Sequence, residues 1–231
     1  VRHGQSIWNL EKRFTGWVDI DLTQNGISEA EKAGLLIKKE NIEIDFYYSS
    51  LQLRANNTLN IIQKVLKDKK NFSRAWQLNE RHYGALTGLN KIEMTKKIGE
   101  DKVHEFRRSW DIKPDALDKK SKYHPINIKT YNDIPKEIIP DSESLKDTYE
   151  RVTKYFEDEI EKKLENKNVL ISAHGNSIRA LCKKLFNLNN NQISNLEIPT
   201  GNPLVIELNK QLEITKCKYL DQKRAKDLLV F

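Results

Sequence analysis

The chain has 231 residues, with 40 Lys or Arg against 33 Asp or Glu, a formal charge of +7, and 38% hydrophobic content, enough for the core of a single α/β domain. No apolar run approaches the roughly 18 residues of a membrane span, no secretory-type segment opens the sequence, and Cys182 and Cys217 are too few for a disulfide framework and lack metal-type spacing, so a reducing, cytoplasmic location is expected. The positive balance raises nucleic acid as a partner, but Lys38, Lys39, Lys69, Lys70, Lys96, Lys97, Lys162 and Lys163 are scattered among acidic residues rather than gathered in a stripe, so neither a nucleic acid nor a membrane is expected.

In chain order, Ala30, Ala33, Leu36 and Ile37 recur at helical spacing and predict an amphipathic helix over 26–40. Residues 44–49, rich in aromatics, read as a strand, and Ala55, Leu59, Ile62, Val65 and Leu66 mark a second helix. Val103, Phe106 and Trp110 suggest a helix carrying Arg107 and Arg108. Between 141 and 164, Leu145, Thr148, Val152, Tyr155, Phe156 and Ile160 form a long helical stripe. Ser144 is its expected N-cap, with Asp147 three residues later. Residues 169–172 and 204–208 are short buried-type runs and read as strands. Strands alternating with helices predict a three-layer α/β fold, a mostly parallel central sheet with helices on both faces. One domain over 1–231 is expected, with an insertion or lid region around 92–140. Its later part, 113–140, holds four of the six prolines and little periodicity.

The most informative feature is a near-repeat. His3-Gly4-Gln5-Ser6-Ile7 and His174-Gly175-Asn176-Ser177-Ile178 both read His-Gly-x-Ser-Ile, at two of only five histidines. The second copy follows the strand-like 169–172 and opens a helix-like run. It therefore places a histidine at a strand's carboxyl end, where parallel sheets bind ligands and helix N-termini attract anions. Either copy alone reads as an ordinary turn; the pair suggests one pocket. A zinc site would need Cys neighbours or a His-x-His or His-Glu-x-x-His spacing, and none is present.

The segment 78–91 is crowded with polar side chains. Glu80 there is either a proton donor and acceptor or half of a surface pair with Arg81. The chain uses 30 Lys and 10 Arg, and Arg2, Arg54, Arg81, Arg107, Arg108 and Arg179 fall in or beside these segments. A guanidinium fork matches phosphate or carboxylate in a way an ammonium does not, which points to a small polyanion.

These motifs resemble the histidine phosphatase superfamily and, within it, the cofactor-dependent phosphoglycerate mutases. The resemblance rests on Arg2-His3-Gly4, Trp8-Asn9-Leu10-Glu11, Arg13-Phe14-Thr15-Gly16-Trp17, the segment 78–91, Arg107-Arg108-Ser109, the segment 143–148, Ala173 to Ser177, and Ile198-Pro199-Thr200-Gly201, in family order. It implies a ping-pong exchange between 3-phosphoglycerate and 2-phosphoglycerate in glycolysis and gluconeogenesis. By this resemblance His3 is the nucleophile, primed by 2,3-bisphosphoglycerate without a metal, and Glu80 is the acid/base. Arg2, Arg54, His174 and the Gly175 amide hold the transferring group. Ser6, Asn9, Thr15, Gly16, Tyr83, Lys91, Arg107, Arg108 and Asn176 bind substrate, with Arg81 and His82 beside them. The partners implied are phosphorylated three-carbon acids and further copies of the chain, as a dimer or tetramer. A phosphatase of the same superfamily and a non-catalytic basic binding protein are the alternatives. The sequence departs from the mutases at Gln5 (usually Glu), at Leu53 (usually Lys), over 118–132, and in a tail after Asp221 without the usual Lys/Gly-containing end.

Overall fold

The computed structural model describes residues 1–225; the tail departure at Leu228 to Phe231 lies outside them. The central sheet is parallel, in the order β2 (Phe72–Arg74), β1 (Phe46–Ser49), β3 (Val169–Ser172). Beyond β3, Arg2 bridges in parallel to Ala173 on one side and to Thr200 on the other. The region before His3 thus joins the sheet through the Arg2 bridge and sits beside β3, which ends two residues before His174.

Strand alternation sends successive side chains to opposite faces. Tyr47 and Leu170 pack on one face with Ala33 and Ile37 of α2 (Gln24–Lys39) and Leu59 and Ile62 of α3 (Leu53–Leu66). Tyr48 and Ile171 face the other way, onto Val152 of α6 (Leu145–Tyr155) and Ala180 and Leu181 of α7 (Gly175–Leu185). The expected three layers follow, and burying a side chain such as Ile62 contributes about 1.5–3 kcal/mol.

The elements largely follow the expected pattern. Thr23 caps α2 by accepting from the Gly26 N–H, and Ser144 and Asp147 form the expected capping box of α6. The long stripe does not continue as one α-helix. At Phe156–Ile160 the coil widens into a π turn, followed by a 3-10 turn at Glu161–Lys163, and Phe156 and Ile160 stay buried. The other short elements are α1 (Ile7–Leu10), α4 (Lys91–Ile98), α5 (Glu100–Arg108) and α8 (Asn190–Asn195). Trp110 lies beyond α5, edge-on to Tyr149 at 5.3 Å.

One expectation is corrected. Residues 204–208 form a strand, β4 (Leu204–Leu208), but it pairs antiparallel with β5 (Ile214–Tyr219) in a separate hairpin rather than joining the parallel sheet. Residues 113–140 carry only short 3-10 turns. They pack as an ordered strap, in which Tyr131, Ile134 and Ile139 bury against Trp17 and Tyr123 stands edge-on to Trp8 at 5.3 Å.

Candidate active site

Sheet pairing brings the two histidine motifs together. The His3 N–H donates to the Ala173 carbonyl at 2.9 Å, and the His3 and His174 ring centroids stand 5.0 Å apart. Gly4 permits this approach. A Cβ there would fall 2.1 Å from the Gly26 carbonyl oxygen, so the His3 loop lies directly on the start of α2.

His3 is 2% exposed. Its Nδ1 lies 2.7 Å from the Gly4 carbonyl oxygen, which can only accept, so the neutral ring carries its proton on Nδ1 and its lone pair on Nε2. Burial, then the charges of Arg54 and Arg2, hold this imidazole well below the usual histidine range. His3 is therefore an uncharged imidazole with a free Nε2 lone pair in a cationic site. His174 is the N-cap of α7, held through Nε2 by the Ser50 hydroxyl at 2.8 Å, and burial with Arg54 lowers its pKa too.

Arg54 enters from the first turn of α3. Its Nη1 and Nη2 donate to the carbonyls of Val18 (3.0 Å) and Gly16 (2.9 Å), and its Nε approaches His3 Nε2 at 3.3 Å. Gly16 adopts φ +52°, which turns its carbonyl toward the guanidinium. Arg2 donates from Nη1 to the Ile198 carbonyl at 2.7 Å, while its buried Nε has no partner among the described residues.

Glu80 stands opposite. Its Oε1 accepts from the Arg81 N–H (2.8 Å), the Asn176 N–H (3.1 Å) and Asn176 Nδ2 (2.8 Å). Its backbone N–H donates to Gln52 Oε1 at 2.9 Å, and Gln52 Nε2 donates to the Gly16 carbonyl that also receives Arg54. The carboxylate and the nucleophile's arginine thus share one buried scaffold. Glu80 is 8% exposed and Arg81 fully buried, so the two are not a surface pair.

Arg2, His3, Asn9, Thr15, Arg54, Glu80, Tyr83, Lys91, Arg107, Arg108, Gly175, Asn176 and Arg179 line one cleft. Six of these are cations (Arg2, Arg54, Lys91, Arg107, Arg108, Arg179) against the single carboxylate of Glu80. Burial lowers the Lys91 and Arg108 pKa values, and the neighbouring cations add to the effect. Fields of this sign favour a polyanion.

The remaining expected residues stand behind this wall. Ser6 caps α1 from a buried position, and Gly16 supplies the shared carbonyl. Arg81 is fully buried, donates to the Phe106 carbonyl and lies 4.9 Å over the Tyr83 ring. His82 is also buried, its Nδ1 accepting from the Gly84 N–H at 2.9 Å. Gln5 accepts from the Thr23 hydroxyl on its side-chain oxygen at 3.0 Å and is absent from the cleft lining. Leu53 is 39% exposed. Gln52, Ser50, Glu143 and Arg151 support the site, and of these only Glu143 falls within a motif that carries the resemblance. Arg151 had one sequence signal: it is an arginine among lysines beside the apolar stripe of α6.

Among the described residues, no helix is long and apolar enough to cross a membrane, and no three His, Cys, Asp or Glu side chains group to hold a metal ion.

The family model described as histidine phosphatase superfamily (branch 1) matches residues 1–124 and 117–216, which gives the class. A 2,3-bisphosphoglycerate-dependent phosphoglycerate mutase of Pelagibacter ubique (strain HTCC1062) is 68% identical over 100% of this chain and 98% of its own length. The enzyme of the same name from Borreliella burgdorferi (strain ZS7) is 51% identical over 98% of this chain and 92% of its own. The chain belongs to the 2,3-bisphosphoglycerate-dependent phosphoglycerate mutase family. More distant solved structures share the fold. A mycobacterial glucosyl-3-phosphoglycerate phosphatase superposes with a TM-score of 0.70 at 19% identity, covering 94% of each chain. A putative alpha-ribazole-5'-P phosphatase from Escherichia coli gives 0.69 at 15% identity, covering 93% of this chain and 91% of its own.

Proposed function

We propose that this chain interconverts 3-phosphoglycerate and 2-phosphoglycerate through a phosphoryl group carried on Nε2 of His3. The observation that carries the reading is the neutral imidazole of His3, its lone pair on Nε2, in a cleft lined by six cations and Glu80.

The cleft suits 2,3-bisphosphoglycerate as primer. Two phosphates and a carboxylate match the cation excess, and Arg2 Nε and Thr15 Oγ1 are buried donors without partners among the described residues. Arg2, Arg54 and His174 would hold the phosphate next to His3, and Lys91, Arg107 and Arg108 the remaining charges. When bound, the primer supplies the phosphoryl group that loads His3.

In the loading direction, the Nε2 lone pair forms the N–P bond as the P–O bond to the leaving oxygen breaks. Glu80 delivers to that oxygen the proton it took from a substrate hydroxyl in the preceding transfer. In transfer, Glu80 takes the proton of the substrate's free hydroxyl as its oxygen forms the new P–O bond and the N–P bond breaks. Nε2 recovers its lone pair, and Nδ1 keeps its proton on Gly4 throughout. Fixed guanidinium charges stabilise the spread negative charge of such transfers without reorganising.

The test is conversion of 3-phosphoglycerate to 2-phosphoglycerate, measured with and without added 2,3-bisphosphoglycerate. Isomerisation that requires the primer is the expected result. Release of inorganic phosphate without isomerisation would overturn it in favour of a phosphatase.

A further inference from the structure

Arg151 lies on α6 and is absent from the cleft lining, yet its side chain is almost completely buried, 8% exposed. A guanidinium carries five N–H groups, and each has an acceptor here. Nε donates to Glu143 Oε1 at 2.6 Å and Nη2 to Glu143 Oε2 at 2.9 Å, a bidentate pair. Nη1 donates to the carbonyls of Gln77 (2.6 Å) and Asn79 (3.0 Å), and the second Nη2 proton goes to the Glu80 carbonyl at 3.0 Å. Glu143 in turn takes the His82 N–H on Oε2 at 2.8 Å, while its own N–H donates to the His82 carbonyl at 2.9 Å. The pair therefore grips the backbone at 77, 79, 80 and 82, on both sides of the acid/base position.

This segment needs an external clamp. Glu80 lies between short 3-10 turns, outside any regular helix or strand that would fix its backbone. We infer that Arg151, paired with Glu143, is a positioning residue for proton transfer by Glu80, a role that rests on the mutase reading above. The five-point geometry is specific to a planar fork. Lysine keeps the charge but offers three donors from one atom, so it cannot bridge Glu143 and three carbonyls at once. The guanidinium carbon also lies 5.7 Å from the Trp17 ring centre, over the ring. A shift of about 1 Å in a catalytic group costs on the order of a hundredfold in rate.

The test compares wild type with Arg151→Lys, Arg151→Met and Glu143→Gln in the isomerisation assay. Each preparation is also titrated for the end-point amount of phosphohistidine formed from 2,3-bisphosphoglycerate. The expected result is an end-point close to wild type and KM within about threefold. Turnover per phosphorylatable site should fall about tenfold in Arg151→Lys and Glu143→Gln and about a hundredfold in Arg151→Met. Normal turnover per phosphorylatable site in the variants would overturn the inference. So would activity that falls only in proportion to the phosphohistidine end-point, because that marks loss of folded enzyme alone. A wild type that does not isomerise would instead remove the mutase reading itself.

Discussion

Burial gives His3, His82 and His174 a common thermodynamic signature as well as separate positions. All three are held below the ordinary histidine value, with burial the largest cause in each, and His82 is pushed to about 4. The unfolded chain takes up protons near 6.5 while the folded one does not, so these groups contribute stability above that pH and lose it as pH falls. For His82 the loss runs from about pH 6.5 down to about 4 and amounts to roughly 3 kcal/mol. Denaturant midpoints should therefore drop steeply between pH 7 and 5, and His82→Gln should flatten that slope; an unchanged slope would remove His82 from the account. Activity should be abolished in His3→Ala. In Glu80→Gln, turnover should fall by at least about a hundredfold with KM little changed, which steady-state kinetics reads directly. At this scale the sequence was informative about residues with unusual chemistry, namely repeated histidines and arginines in a lysine-rich chain. It was silent on Gln52 and Ser50, because their importance lies in what they touch across 28 and 124 positions.

Between elements, the contact that most directly shapes the site is bare backbone. The loop carrying His3 and the start of α2 meet through Gly4 and Gly26, and a Cβ on Gly26 would stand 2.1 Å from the Gln5 carbonyl oxygen. No rotamer change relieves a collision with main chain. Gly26→Ala should therefore destabilise the protein by about 1–3 kcal/mol in chemical denaturation and lower turnover beyond that, because the displaced loop holds the nucleophile. A wild-type denaturation midpoint in that variant would contradict the close approach. Helices α2, α3 and α6 were legible because each shows one apolar face over several turns. The strand β2 was not, since its three residues carry an intermediate and two exposed side chains and so no alternation. Residues 204–208 showed their strand character but not their partner; an apolar run fixes burial and leaves direction of pairing open.

For the whole molecule, the distribution of charge says more than its net value. Six of the cations converge on one cleft, and many lysines stand in exposed pairs such as Lys154 with Asp158 or Lys70 with Asp68. Such surface pairs contribute little to stability. Attraction of a polyanionic substrate should be screened by salt, so KM for 3-phosphoglycerate should rise severalfold between about 0.05 and 0.5 M ionic strength, where the Debye length falls below roughly 5 Å. A flat KM would mean that substrate capture owes little to the collective charge. The strap at 113–140 was legible as irregular, but its tight packing on Trp17 depends on a residue about a hundred positions away. The bridge from Arg2 to Ala173 and Thr200 has a consequence for the order of events in the cell. His3 leaves the ribosome before the segments that complete its pocket, which follow some 170 residues later, on the order of ten seconds or more at ordinary elongation rates. During that interval the nucleophile has neither its partner imidazole nor its sheet neighbour. Nascent chains that stop short of Thr200 should accordingly be inert toward phosphoryl donors, and phosphate chemistry switches on only once that segment has joined Arg2.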